Sequence, residues 1–125
     1  MAKLISTGSP FEKTMGYSRA LVKGPWCFVS GVTGYDYATM VMPESVADQA
    51  RNCFATIAWA LDQGGFAMAD IVRVQYTVTE AGLVEALVPV LGEHLGAIRP
   101  AATMVIAGLI RPEMKVEIEV TAFKG

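Results

Sequence analysis

Residues 44–65 read ESVADQARNCFATIAWALDQGG, and the apolar side chains of this segment follow a helical spacing. They recur every three or four residues, at Val46, Ala50, Cys53, Phe54, Ile57 and Leu61. Such spacing puts all of them on one face of an α-helix, and Gly64-Gly65 stands where a helix commonly ends. The segment therefore predicts an amphipathic helix whose apolar face packs against another layer of the protein.

A strand and a second helix are expected next. Residues 70–78 (DIVRVQYTV) have period two and are rich in β-branched and aromatic side chains, which is typical of a strand. The following segment carries one apolar stripe of leucines, at Leu83, Leu87, Leu91 and Leu95. We expect Thr79 to cap this helix and Gly96 to end it, while Pro89 removes a backbone donor and is expected to kink or split it.

Two strands close the chain. Residues 101–106 form a short apolar strand, and residues 115–123 alternate apolar with polar side chains. Because Glu117 and Glu119 occupy alternate positions, they share one face of the last strand. That face is predicted to be acidic.

The segment before the first helix predicts a β-hairpin. Residues 17–22 and 26–32 are β-prone runs that flank Lys23-Gly24-Pro25. A short first strand is expected at residues 4–7, followed by a loop over residues 8–16 because of their glycine and proline content. The order of elements predicts a single α+β domain over residues 1–125, with one sheet covered on one face by two helices.

Composition limits the partners of the chain. Hydrophobic residues make up 53% and charged residues 18%, so we expect the uncovered sheet face to pack against further copies of the chain. The formal charge of −2, with basic residues scattered, makes nucleic acid an unexpected partner. There is no membrane-length apolar run or signal-like N-terminus, so a cytoplasmic location is expected. Cys27 and Cys53 lack CxxC spacing and are predicted to be buried, reduced thiols.

Six short motifs follow one another along nearly the whole chain. They are Gly16-Tyr17-Ser18-Arg19-Ala20, Phe28-Val29-Ser30-Gly31, the helical segment 47–52, Asp70-Ile71-Val72-Arg73, Arg99-Pro100-Ala101 and Lys115-Val116-Glu117-Ile118-Glu119. In their order and spacing these motifs resemble the RidA (YjgF) family, in which the first of them reads GPYSQA. The resemblance implies a chorismate-mutase-like fold and a homotrimer with clefts between subunits. It also implies hydrolysis of enamine and imine acids such as 2-aminoacrylate, without metal or organic cofactor.

The resemblance also implies roles for individual residues. Tyr17 and Glu117 are the predicted catalytic pair, with a phenol that holds or donates to the substrate and a carboxyl that orients or activates a water. Ser30 and Gly31 are predicted to contact the substrate, since glycine permits close approach.

The arginine with which many family members clamp a substrate carboxylate is missing. Its position, two residues after the proline, is Ala102, or Ala101 if the register shifts by one, so either register gives alanine. Ala102 and Thr103 are predicted to line the altered substrate site. Losing a bidentate arginine should cost an anionic substrate about 1.5–3 kcal/mol. Arg19 is the first candidate replacement because it lies two residues from Tyr17 and would share its strand face; Arg73, Arg99 and Arg111 are weaker candidates.

Other residues attract less functional weight. His94 is the only histidine and has no second ligand at metal spacing, so neither a metal nor a catalytic role is predicted. Phe11, Met15, Met40 and Met42 either pack in the core or line a cleft.

Two functions remain open. The first is an enamine or imine deaminase whose substrate range is altered by Ala102. The alternative is a non-catalytic trimer of the same fold that binds or senses a metabolite. A ribonuclease is disfavoured because the chain is acidic and has no histidine pair.

Overall fold

The computed structural model describes residues 1–125. Its elements, in chain order, are β1 (Lys3–Ile5), α1 (Pro10–Met15), β2 (Ala20–Lys23), β3 (Trp26–Thr33), α2 (Val46–Gln63), β4 (Ile71–Val78), α3 (Val84–Leu95), β5 (Ala101–Ile106) and β6 (Val116–Phe123). Short 3-10 turns at Met68–Asp70 and Ala81–Leu83 precede β4 and α3.

The six strands form one sheet in the order β1-β2-β3-β6-β4-β5. The first four of these contacts are antiparallel, and β5 joins the edge in parallel with β4. Parallel neighbours need a crossover, which α3 provides. Helices α2 and α3 pack together on the same side of the sheet, so the predicted α+β architecture is confirmed.

Helix α2 supplies the centre of the core. It begins at Ser45, whose hydroxyl accepts a hydrogen bond from the Asp48 amide at 3.1 Å. It ends at Gly64, and Gly65 then takes a φ of 82°, which glycine adopts without strain. The apolar stripe read from the sequence is buried throughout, and Phe54 and Ile57 lie against the sheet with almost no exposed surface. Each such side chain contributes about 1.5–3 kcal/mol by leaving water.

The prediction of a loop over residues 8–16 is wrong, because α1 lies there. Ser9 caps the helix by accepting from the Phe11 amide, and Pro10 occupies the first turn, where its missing N–H costs nothing. Gly16 ends the helix with a φ of 75°. The glycine and proline that suggested a loop are thus the start and stop signals of a single short helix.

One expectation about α3 is also wrong, and of the two outcomes expected at Pro89 the split does not occur. Thr79 does not cap it, because its hydroxyl points to the Lys115 carbonyl at 3.5 Å and a 3-10 turn intervenes before Val84. Pro89 does not split it, since the helix continues to Leu95. Pro89 and the preceding turn at Glu85 lie on the exposed face, so water can satisfy the carbonyl that the proline leaves unpaired.

The sheet face opposite the helices carries an aromatic cluster, formed by Trp26, Phe28 and Phe123. The Trp26 ring lies 6.1 Å from Phe28 and 4.6 Å from Phe123, and all three rings are exposed. Helices α2 and α3 lie on the other side of the sheet and leave this cluster exposed. No helix of the chain has the length and apolar character needed to cross a membrane.

Candidate active-site cleft

The candidate site is built around a β-bulge in β3. The pairing of β3 with β6 shifts between Val29 and Val32, so Ser30 and Gly31 together face the partner strand where one residue would normally stand. A bulge bends its strand and changes where the neighbouring side chains point. Here it brings the Ser30-Gly31 backbone beside the acidic positions of β6.

Glu117 lies directly over Gly31. A Cβ atom built on Gly31 would come within 2.6 Å of the Glu117 Cδ atom, far closer than real side chains approach. The carboxyl group therefore occupies the space that any other residue at position 31 would fill. A side chain at position 31 would therefore force Glu117 to move.

Hydrogen bonds fasten the segment before β2 to the bulge. The Ser30 amide donates to the Arg19 carbonyl at 3.0 Å, and the Ser30 hydroxyl donates to the Ser18 carbonyl at 2.7 Å. In return, Nη2 of Arg19 donates to the Gly31 carbonyl at 2.8 Å. Because the Ser30 proton is already engaged, its oxygen is left to accept from a ligand.

Glu12 anchors this segment from below, a role that the sequence did not reveal. One of its carboxylate oxygens accepts from the Arg19 amide at 3.2 Å, and the other accepts from the amide and hydroxyl of Thr7. Its burial alone would raise the pKa of Glu12, but the hydrogen bonds from Thr7 and Ser6 and the charge of Arg19 together lower that pKa. Glu12 is thus held as a carboxylate that fixes the backbone between Tyr17 and Ala20.

These elements enclose a cleft of about 540 Å³. Its lining is Met15, Tyr17, Ser30, Gly31, Thr77, Ala107, Gly108, Leu109, Ile110, Glu117 and Glu119. Four of the residues predicted for the site, Tyr17, Ser30, Gly31 and Glu117, therefore meet around one cavity. The segment 107–110, which forms the opposite wall, was not predicted, because it has no periodic pattern.

The ionisable groups of the cleft are perturbed. Burial, and then the like charge of Glu119, raise the pKa of Glu117, while the positive charge of Arg19 partly opposes them. Burial also raises the pKa of Tyr17, so the phenol keeps its proton and can donate. A carboxyl with a raised pKa beside a neutral phenol is suited to act as both acid and base.

Arg19 is not a solvated edge residue, since its exposed fraction is 0%. Its guanidinium lies between two aromatic rings, 5.7 Å from the centroid of Tyr17 and 5.5 Å from that of Tyr37. Its Nε and Nη1 atoms are buried without a hydrogen-bond partner. Arg19 therefore lies inside the wall of the cleft and donates to the Gly31 carbonyl.

Ala102 and Thr103 lie away from the Glu117 cleft of the same chain. Both belong to β5, at the edge of the sheet. Ala102 lines a shallow cleft of about 310 Å³ beside α3, which also includes Arg99. Thr103 accepts a hydrogen bond from Nη2 of Arg73 at 3.0 Å. Within the chain, these positions therefore do not meet Glu117.

The remaining candidates lie elsewhere. The His94 ring stacks on Phe54 with a centroid distance of 4.4 Å, and its Nδ1 is 2.8 Å from the Val90 carbonyl oxygen. Cys27 and Cys53 are buried and unpaired, as predicted. No group of three or more histidine, cysteine, aspartate or glutamate side chains is arranged to hold a metal ion.

Two further clefts contain neither Glu117 nor Tyr17. One, of about 780 Å³, includes Phe11, Met15, Met40 and Arg111, whose guanidinium lies 5.0 Å from the Phe11 centroid. Met42 does not line it. Another, of about 440 Å³, lies between α2 and residues 35–38. Because only the Glu117 cleft joins a perturbed acid to a phenol and a glycine bulge, it is the best candidate active site.

A six-stranded sheet with two helices on one face, and an acidic cleft at a β3 bulge, define a small α+β domain of the chorismate-mutase-like class. Residues 7–124 match the family model described as Endoribonuclease L-PSP, and the chain belongs to this family, which includes the RidA and YjgF proteins.

Three relatives illustrate the match. The crystal structure of Rv2704 from Mycobacterium tuberculosis, a member of the YjgF/YER057c/UK114 family, is 36% identical, with 98% of this chain and 99% of that one covered and a TM-score of 0.90. RidA from an Antarctic Psychrobacter is 25% identical, with coverage of 97% and 94% and a TM-score of 0.82. A RutC family protein of Pyrococcus horikoshii is 24% identical over 99% of both chains.

Proposed function

We propose that the protein is an enamine or imine deaminase with an altered substrate range, in which Glu117 is the acid–base group. The observation that carries this proposal is the partly buried Glu117 carboxyl, which lies over Gly31 and shares a cleft with the Tyr17 phenol. The family membership supports it, because the resemblance to RidA proteins implies hydrolysis of such substrates.

The chemistry needs little more than these groups. An enamine acid accepts a proton at carbon and becomes an imine, whose carbon is electrophilic. Glu117 in its acid form supplies a proton, and as a carboxylate it takes one from the attacking water. Glu117 passes that proton to the nitrogen, which gives a tetrahedral adduct that carries a hydroxyl and an amino group. A second transfer through Glu117, from the hydroxyl to the nitrogen, lets the C–N bond break as the C=O bond forms, so that ammonia leaves and a keto acid remains. Tyr17 is suited to hold the substrate by donating a hydrogen bond from its neutral phenol.

The proposal includes a homotrimer with a cleft between neighbouring subunits. The exposed cluster of Trp26, Phe28 and Phe123 on the uncovered sheet face supports assembly, because a soluble monomer rarely exposes adjacent aromatic rings. In such an assembly, Ala102 and Thr103 of one subunit would contribute to the Glu117 cleft of another. An alanine there leaves more space and no charge, which favours larger substrates over 2-aminoacrylate.

The test is ammonia release from 2-aminoacrylate generated in situ, from 2-aminomuconate and from bulkier imine acids. Turnover of any of these by the wild type, absent in Glu117→Gln, is the expected result. If no substrate in the panel turns over, the deaminase proposal fails.

The second candidate is a non-catalytic trimer that binds a metabolite, and the alanine at position 102 favours it. A binder should hold its ligand equally well in the wild type and in Glu117→Gln, with no product from either. The name of the family model suggests ribonuclease activity as a third possibility. The cleft is lined by two glutamates and by no lysine or arginine, which disfavours binding of the negatively charged RNA backbone. An RNA cleavage assay on the same preparation tests that third possibility.

A further inference from the structure

A buried arginine with unused donors is an unusual feature of this protein. Arg19 has 0% exposure, and its guanidinium makes one hydrogen bond, from Nη2 to the Gly31 carbonyl. Nε and Nη1 have no partner. A buried charge is costly unless an opposite charge balances it, and the guanidinium cannot lose its proton in a protein. The chain must therefore balance Arg19 from a distance.

Two carboxylates stand near enough to do so. The charge of Arg19 acts on both Glu12 and Glu117, although neither forms an ion pair with it, since the sole ion pair within 4.0 Å joins Arg51 and Asp48. Glu12 is already engaged by Thr7 and by the Arg19 amide. Glu117 is the carboxyl whose protonation remains adjustable.

We propose that Arg19 is a positioning residue: its hydrogen bond to the Gly31 carbonyl fixes the bulge over which Glu117 lies, and its buried positive charge attracts the Glu117 carboxylate. This role of Arg19 rests on the proposed function in one respect only, namely that Glu117 is the acid–base group. Arg19 supplies a positive charge from behind the cleft surface, so no lysine or arginine side chain lines the cleft itself. Its permanent charge opposes the burial and the Glu119 charge that would otherwise protonate Glu117.

The charged and ionisable groups near Glu117 come from three elements. Tyr17 and Arg19 approach from the segment before β2, Cys53 from α2, and Glu119 from the same strand. Burial keeps Tyr17 and Cys53 neutral by raising the pKa of each. Arg19 is therefore the single positive charge among them, so its removal should shift the titration midpoint of Glu117 upwards.

The experiment follows the carboxyl carbon of Glu117 by NMR in protein labelled with ¹³C-glutamate, with the signal identified by its absence in Glu117→Gln. The variants are Arg19→Gln and Arg19→Met, which remove the charge, and Arg19→Lys, which keeps it but loses the planar donor group. Glu119→Gln is the control, because removing the like charge should move the midpoint of Glu117 downwards.

The expected result is an upward shift of the Glu117 midpoint in both neutral variants and a midpoint near that of the wild type in Arg19→Lys. Arg19→Met retains the apolar part of the side chain, so the titration can be measured on this variant if Arg19→Gln does not fold. An unmoved midpoint in a folded neutral variant would overturn the proposal, as would an equal shift in Arg19→Lys.

Kinetics add an independent readout. If the protein turns over a substrate, the acidic limb of its kcat/KM profile should move upwards with the NMR midpoint, with KM little changed. A rise in KM alone, with the NMR midpoint unmoved, would instead make Arg19 a substrate-binding residue and refute the positioning role. Since the NMR titration needs no turnover, it can succeed even if the deaminase proposal fails.

Discussion

The Glu117 carboxyl lies where the side chain of residue 31 would be, 2.6 Å from the position of a Cβ atom on Gly31. The two residues belong to adjacent strands, and the bulge at Ser30-Gly31 allows this contact. The position of the Glu117 side chain therefore depends on the bulge in β3. A substitution at either residue 31 or residue 117 should alter the packing of the other.

Gly31→Ala is predicted to push the Glu117 side chain out of place and to lower turnover by about tenfold or more, since small misplacements of a catalytic group are costly. Because the end of a glutamate side chain can move, stability should fall by only about 1–3 kcal/mol. Urea unfolding and ammonia release measure the two effects. Gly82→Ala is the matched control, because a Cβ atom there meets nothing within 4 Å. Full activity in Gly31→Ala would contradict the contact.

Glu117→Gln should make the protein more stable than the wild type at neutral pH. Burial and Glu119 raise the pKa of Glu117 in the folded state, so the folded chain holds the proton to higher pH than the unfolded chain does. The wild type therefore loses stability as pH rises from about 4.5 through the raised folded pKa, whereas glutamine does not titrate. The difference in melting temperature should be close to zero below about pH 4.5 and should grow as pH rises through the raised folded pKa.

Melting curves of both proteins between pH 4 and pH 8 test this sign. Glu85→Gln, an exposed change on α3, is the control and should follow the wild type across the whole range. A pH-independent difference for Glu117→Gln would mean that its effect comes from packing and that its carboxyl is not perturbed.

Ala102→Arg should increase activity on small anionic imines. If Ala102 faces the Glu117 cleft of a neighbouring subunit, a guanidinium there can form charge-assisted bonds with a substrate carboxylate, about 1.5–3 kcal/mol or roughly ten- to a hundredfold in kcat/KM. Ala102→Gln supplies a polar, uncharged hydrogen-bond donor and should give no such gain. If the arginine and glutamine variants behave alike on 2-aminoacrylate, position 102 does not anchor the carboxylate.

The assembly can be tested at the aromatic cluster. Trp26→Glu places a charge on the uncovered sheet face and should convert the proposed trimer to monomers, because burying an unpaired carboxylate is costly. Trp59 is equally exposed, at 41% against 40% for Trp26, but lies on α2 in the helix layer, so Trp59→Glu should keep the assembly. Light scattering after size-exclusion chromatography measures both. A wild type that runs as a monomer would remove the basis for an inter-subunit cleft.

The sequence predicted the parts of the fold that have a regular period. The stripe of α2 and the alternation in β6 follow from local spacing, and the structure has both elements close to the predicted bounds. The bulge at Ser30-Gly31 arises because β3 pairs with a strand about 90 residues later in the chain. No local sequence pattern predicts it. The burial of Arg19 likewise depends on Tyr37 and Glu12, which reach it only through tertiary packing.

Gln49 links α2 to the chain that follows the cleft wall, and its loss should be among the most destabilising polar changes. It is fully buried, its Nε2 donates to the carbonyls of Pro43 and Glu113 at 2.9 and 3.0 Å, and its Oε1 accepts from the Lys115 amide at 2.9 Å. Gln49→Ala leaves these groups unpaired and should lower the free energy of unfolding by at least about 2 kcal/mol.

The matched control is Gln63→Ala, an exposed change at the end of the same helix that should cost less than about 0.5 kcal/mol. Urea unfolding compares the two. Because residues 107–110 line the cleft and precede the segment that Gln49 holds, Gln49→Ala should also weaken turnover under conditions where the variant remains folded. Equal stability of the two alanine variants would show that water replaces the Gln49 hydrogen bonds without loss, and that the cleft wall is held by its apolar contacts.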